Sequence, residues 1–164
     1  VKDLKSIQKP STRDVTNNVP ISLVSAVTDS VNPAPAPRTD YLVACIDDSK
    51  VDTQILNHIL TQAGYRFINV ENHEKAIPTL ILQKPDLIFL DLVMPIVNGY
   101  EICAQIRRIP FFKYTPVVIV TGKNGITDWA RAKLVGSSDF ITKPIDREKL
   151  VRVLQTYLPI ANPV

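Results

Sequence analysis

From Tyr41 onward the chain repeats one pattern, a short apolar run followed by a stretch whose apolar positions recur every three or four residues. The runs are YLVACI (41–46), RFINV (66–70), DLIFL (86–90), PVVIV (116–120) and SDFIT (138–142). Three of them are almost wholly apolar rather than alternating, as strands buried on both faces of a parallel sheet must be. Between the first two, Val51, Ile55, Leu56, Ile59, Leu60 and Ala63 form one helical stripe, with Gly64 as its C-cap. The spacing predicts further helices over about 73–83, 99–107, 125–135 and 146–158. Gly136 closes the fourth helix, while Asp146 caps and Pro159 stops the fifth. On the fourth, Ile126, Ala130 and Leu134 form the stripe and Trp129 lies beside it, so the indole is open to core packing or to an exposed partner contact. Five strand–helix alternations in sequence predict an α/β domain, a doubly wound five-stranded parallel sheet of flavodoxin-like strand order 2-1-3-4-5.

Residues 1–39 carry no aromatic residue, no glycine and five of the thirteen prolines, ending in NPAPAPRTD. That composition favours extended, semi-rigid chain and predicts a Pro-rich linker or disordered leader, with VPISLVSAV inside it open to a strand or a docking segment. The folded domain is expected over 40–160, with a short tail at 161–164. A start at Val1 and a linker composition lead us to expect a further domain upstream.

In a doubly wound sheet the functional crevice lies outside the carboxyl ends of the strands. The residues just past the runs are Asp47 and Asp48 after the first, Asp91 after the third, Thr121 after the fourth and Lys143 after the fifth. Singly each has an ordinary explanation: DDS reads as helix capping, Thr121 as turn chemistry, Lys143 before Pro144 as a solvated loop lysine. Together they place three carboxylates, a hydroxyl and an ammonium at one edge. Carboxylates so crowded cannot all stay ionised without a cation, and hard oxygen ligands suit Mg²⁺. A lysine and a threonine add an anion partner and a hydrogen-bond donor, so the set suits a phosphoryl group carried on a carboxylate.

These residues resemble the receiver domain of two-component response regulators, over about residues 41–158. The marks are CIDDS with Asp47 and Asp48, IFLDLVMPIVNGYE around Asp91, VVIVTG with Thr121, and GSSDFITKP with Phe140, Lys143 and Pro144. The resemblance implies that Asp91 accepts a phosphoryl group from a histidine kinase or phosphotransfer protein. It implies a Mg²⁺ ion on Asp47, Asp48, Asp91 and the carbonyl of Val93, and Lys143 paired with Asp91 and then with the phosphoryl oxygens. It further implies Thr121 and Phe140 as coupled switch residues, a cis bond before Pro144, and a signalling face made of the fourth helix, fifth strand and fifth helix. Such a module catalyses only its own phosphorylation and dephosphorylation and is not an enzyme with an external substrate. Within the family, the chain looks most like receivers that end multi-domain cyanobacterial regulators of phototaxis and heterocyst patterning. That suits a different domain ahead of the receiver, so output is expected in an upstream domain or a partner protein, with a homodimer among the assemblies it allows. The two cysteines, read as unpaired, fit a reducing cytoplasm. Val93 and Met94, apolar and just past Asp91, are expected to screen the phosphoryl group from water and slow its loss.

Net charge is only +3 and no basic run forms a patch, which argues against nucleic-acid binding by this chain. No apolar stretch is long enough to predict a membrane span. Cys45 and Cys103 fit no metal or redox spacing and read as small buried hydrophobes, and His58 and His73 read as solvated. A phosphatase of the haloacid-dehalogenase type would need a second aspartate where Val93 stands, and a nucleotide binder would need a Gly-rich loop where DDSKVD stands. The competing reading is a pseudo-receiver that acts as a protein-docking scaffold.

Overall fold

A computed structural model describes residues 38–160. Five strands, β1 (Leu42–Ile46), β2 (Arg66–Asn69), β3 (Leu87–Leu90), β4 (Val117–Thr121) and β5 (Asp139–Thr142), form one sheet in the order β2-β1-β3-β4-β5. Every pairing is parallel. Helices α1 (Lys50–Gln62), α2 (Ala76–Gln83), α3 (Gly99–Arg108), α4 (Ile126–Leu134) and α5 (Arg147–Tyr157) connect and flank the strands. Short 3₁₀ turns occupy His73–Lys75 and Pro110–Phe112. The predicted doubly wound sheet and its strand order are therefore observed.

β1, β3 and β4 are buried at every position, which is why their runs lack alternation. Successive residues of β3 feed opposite cores. Ile88 and Leu90 pack with Leu80, Cys103, Ile106 and Phe112, whereas Leu87 and Phe89 pack with Leu56, Leu60, Leu150 and Leu154. Both cysteines are buried free thiols, and burial raises the pKa of each.

Two stripes expected from the sequence are corrected. On α1 the buried face is Thr53, Leu56, Ile59 and Leu60, while Val51 and Ile55 face solvent. Thr53 can be buried because its hydroxyl donates to the Ser49 carbonyl at 3.0 Å. On α4 the stripe Ile126, Ala130 and Leu134 points outward, with Ile126 88% and Leu134 87% exposed. Ala132 is the fully buried residue of that helix, and Trp129 stands 51% exposed. The helix therefore meets the core through one small side chain, and its larger apolar residues are left outside.

Arg38, on the leader side of the expected boundary, forms a parallel bridge with Ile160, pairs with Asp86 at 3.1 Å and lies 4.7 Å over the Tyr41 ring. The segment VPISLVSAV and the tail 161–164 lie outside the described residues. Among the described residues no helix is long and apolar enough to cross a membrane.

Candidate functional site

The register of the three central strands brings the polar residues together. Ile46 lies opposite Leu90, so Asp47 and Asp91 leave neighbouring strands at one height. Thr121 ends β4 opposite Thr142, one residue before Lys143. Asp47, Asp91 and Thr121 are buried and Asp48 is exposed. One carboxylate oxygen from each of Asp47, Asp48 and Asp91 lies within 4.8 Å of the others. Three hard oxygens at that separation, one pair buried and one wet, fit a divalent cation that keeps several waters, as Mg²⁺ does.

Lys143 closes the cluster. Its Nζ lies 2.8 Å from Asp47 Oδ2, 2.9 Å from Asp52 Oδ2 and 3.3 Å from Asp91 Oδ2. Burial alone would depress this ammonium, but hydrogen bonds with Asp47 and Asp52 hold it well above the ordinary lysine range. Burial pushes the Asp47 carboxyl up, and Lys143 and the Ser49 N–H offset this only in part. Asp52 moves the other way: burial opposes, but the Lys143 and Ser49 contacts bring it below the usual carboxylate range. The two aspartates respond differently to one lysine because Asp47 is far more deeply buried and also faces Asp91. The Lys143–Pro144 peptide is cis.

The loop after Asp91 is held by its own backbone. Asp91 Oδ1 accepts the Val93 N–H at 3.1 Å, Val93 bridges Asn98, and the Leu92 carbonyl accepts the Gly99 N–H at 3.3 Å. Gly99 is required there, since a Cβ would lie 2.2 Å from the Asp91 carbonyl oxygen and 2.7 Å from Leu92 Cα. Asn98 caps α3 by accepting the Tyr100 N–H at 3.0 Å. Val93 is half-exposed, and Met94 is partly buried against the core beneath α2 and α3. Phe140 is buried in that same core, and the Thr121 hydroxyl accepts the Lys123 N–H at 3.4 Å.

Two side-chain groups escaped the sequence reading. Asp52 enters the lysine cluster from α1, and the signal for it was the S-x-x-D spacing of Ser49 and Asp52 at a helix start. Tyr100, at the start of α3, donates its hydroxyl to Asp128 Oδ1 on α4 at 3.0 Å, and Arg131 lies 4.3 Å over its ring. That contact ties the Asp91 loop to α4 across distant sequence, where no local pattern could show it.

The model of the response regulator receiver domain family matches residues 43–155. Protein PilG of Pseudomonas aeruginosa is 34% identical over 122 residues, spanning 74% of this chain and 90% of that protein. Protein PilH of the same organism is 31% identical over 116 residues, spanning 71% of this chain and 96% of that one. Among solved structures, the chemotaxis protein CheY4 of Vibrio cholerae superposes with a TM-score of 0.68 at 28% identity, covering 72% of this chain and 98% of that one. A sensor histidine kinase receiver domain from Pseudomonas aeruginosa, solved with a magnesium ion coordinated in its active-site cleft, shares the fold at TM-score 0.66 and 24% identity, covering 72% and 97%. Sheet order and family match agree, and the chain belongs to the response regulator receiver domains of two-component signalling.

Proposed function

We propose that this chain is a Mg²⁺-dependent phosphoacceptor in which Asp91 takes a phosphoryl group from the phosphohistidine of a histidine kinase or phosphotransfer protein. The observation that carries this reading is the cluster itself: Asp91 within reach of Lys143, beside two more carboxylates at the strand ends. Asp91 attacks phosphorus with a carboxylate oxygen. The O–P bond forms as the P–N bond breaks, and the imidazole leaves with the electron pair and takes a proton from water. Asp47, Asp48, Asp91 and the Val93 carbonyl would hold the metal, which supplies charge neutralisation for the phosphoryl oxygens. Lys143 moves from its carboxylates to a phosphoryl oxygen, and the Thr121 hydroxyl turns to donate to another. Phe140 follows Thr121, biasing α4 and β5 toward a second arrangement that a cytoplasmic partner or an attached output domain reads.

Val93 and Met94 offer no polar group to steer an attacking water, so the phosphorylated state is long-lived. Replacing Val93 with asparagine shortens that lifetime several-fold; an unchanged lifetime removes Val93 from this role. The primary test incubates the chain with Mg²⁺ and acetyl phosphate or beryllofluoride and compares wild type with Asp91→Asn by intact mass and phosphate-affinity electrophoresis. One phosphoryl group on wild type and none on the variant is expected. Labelling of the variant, or none of wild type, leaves a docking scaffold as the better reading.

A further inference from the structure

Asp52 stands where a helix-capping carboxylate belongs, three residues after the N-cap Ser49. In the reciprocal capping arrangement it would accept the Ser49 backbone N–H. That N–H is already donated to Asp47 Oδ1 at 2.8 Å, and Asp52 turns to Lys143 at 2.9 Å instead. Lys143 is therefore closer to Asp52 than to Asp91, from which it stands 3.3 Å away.

The consequence concerns competition. Lys143 contacts Asp47 and Asp91, two of the three carboxylates that converge to within 4.8 Å, and Asp52 is outside that trio. An ammonium and a divalent cation cannot both saturate the same oxygens, and each repels the other. A fourth carboxylate that satisfies the ammonium from the α1 side relieves both conflicts. It offers Lys143 a partner the metal does not need, and it cancels positive charge beside the metal position. We propose that Asp52 is a positioning residue for the divalent cation: by holding Lys143 toward α1 it leaves the oxygens of Asp47, Asp48 and Asp91 to Mg²⁺. This rests on the reading of the cluster as a Mg²⁺ site. It also gives Lys143 a resting anchor to leave when a phosphoryl oxygen arrives.

The test is Mg²⁺ binding to the full chain without any phosphodonor, by isothermal titration calorimetry. Wild type, Asp52→Asn and Asp52→Glu are compared, each also in a Lys143→Met background, with circular dichroism confirming the fold. Asp52→Asn is expected to weaken Mg²⁺ roughly five- to tenfold with Lys143 present, and Asp52→Glu to recover part of that loss. With Lys143 absent, the same Asp52→Asn change is expected to cost clearly less, since no ammonium remains to be held. An equal loss in both backgrounds would reduce Asp52 to a distant charge and overturn the proposal, as would no loss in either. Wild type that takes up no Mg²⁺ at all overturns the underlying metal reading, which the calorimetry separates from the other outcomes.

Discussion

Lys143 and Arg107 are both drawn below the surface, but their surroundings have nothing in common. Arg107, in the last turn of α3, donates Nε to the Gly136 carbonyl at 2.7 Å and Nη1 to the Phe112 and Thr115 carbonyls at 2.8 and 2.6 Å. Its Nη2 donates to Ser138 Oγ at 3.2 Å. These acceptors are neutral, and burial accordingly lowers the Arg107 pKa while carboxylates raise that of Lys143. A guanidinium in a cradle of carbonyls has nowhere better to go and pins three segments together. An ammonium among three aspartates is over-supplied with partners and can exchange one of them for a phosphoryl oxygen or cede oxygens to a metal. One cation is held by neutral acceptors alone, and the other, on the proposed function, is the one to be released.

The sharpest way to break this contrast is to delete each cation and offer an ion in its place. Arg107→Ala leaves the part-buried Gly136 and Thr115 carbonyls without this donor and is expected to cost about 2 kcal/mol of stability in chemical denaturation, with Mg²⁺ restoring nothing. Gly136 reinforces that site, because a Cβ there would lie 2.8 Å from Arg107 Cγ at a backbone φ of +95°. Lys143→Met is expected to cost about 2 kcal/mol in EDTA, and millimolar Mg²⁺ to recover most of it, since a metal can compensate the same carboxylates. If both variants respond alike to Mg²⁺, the contrast fails.

Asp47 provides a smaller and oppositely signed test. Its carboxyl is shifted upward by burial, so its ionisation costs folded-state stability above its folded pKa, and that cost disappears as pH falls below about 3.9. Asp47→Asn should therefore stabilise the metal-free protein by about 1 kcal/mol at pH 7, with the gain fading toward pH 4. Asp52 has the reverse sign. Its lowered pKa makes a stabilising contribution that is present above about 3.9 and lost as pH falls through its folded value. The smallest effect belongs to Tyr100→Phe, which loses the bond to Asp128 and should cost about 0.5–1 kcal/mol. Its value lies in backbone amide exchange, which should quicken in α4 and stay unchanged in α5; equal rates in α4 would remove the contact as a tie between the helices.

Much of this was legible in the residue pattern, for identifiable reasons. Buried parallel strands leave unbroken apolar runs, and their register then delivers Asp47, Asp91, Thr121 and Lys143 to one edge. What escaped depends on which face a helix turns inward. α4 carries a regular apolar stripe, yet its anchor is Ala132, whose small size makes it inconspicuous beside Ile126 and Leu134. Asp52 has an equally good local explanation as a capping residue, but in the structure Asp47 accepts the Ser49 N–H and Asp52 contacts Lys143. Arg107 reads as one of two adjacent basic residues ending α3, because its acceptors come from segments 5 to 31 positions away. Long-range contacts of that kind leave no periodic trace.

Trp129 is the single tryptophan of the chain, half-exposed on α4 and directly after the aspartate that holds Tyr100. Its emission therefore originates at one point, on the helix tied to the Asp91 loop. The protein carries an intrinsic optical reporter at that position, so an α4 rearrangement should be visible as a change in emission without attaching a dye.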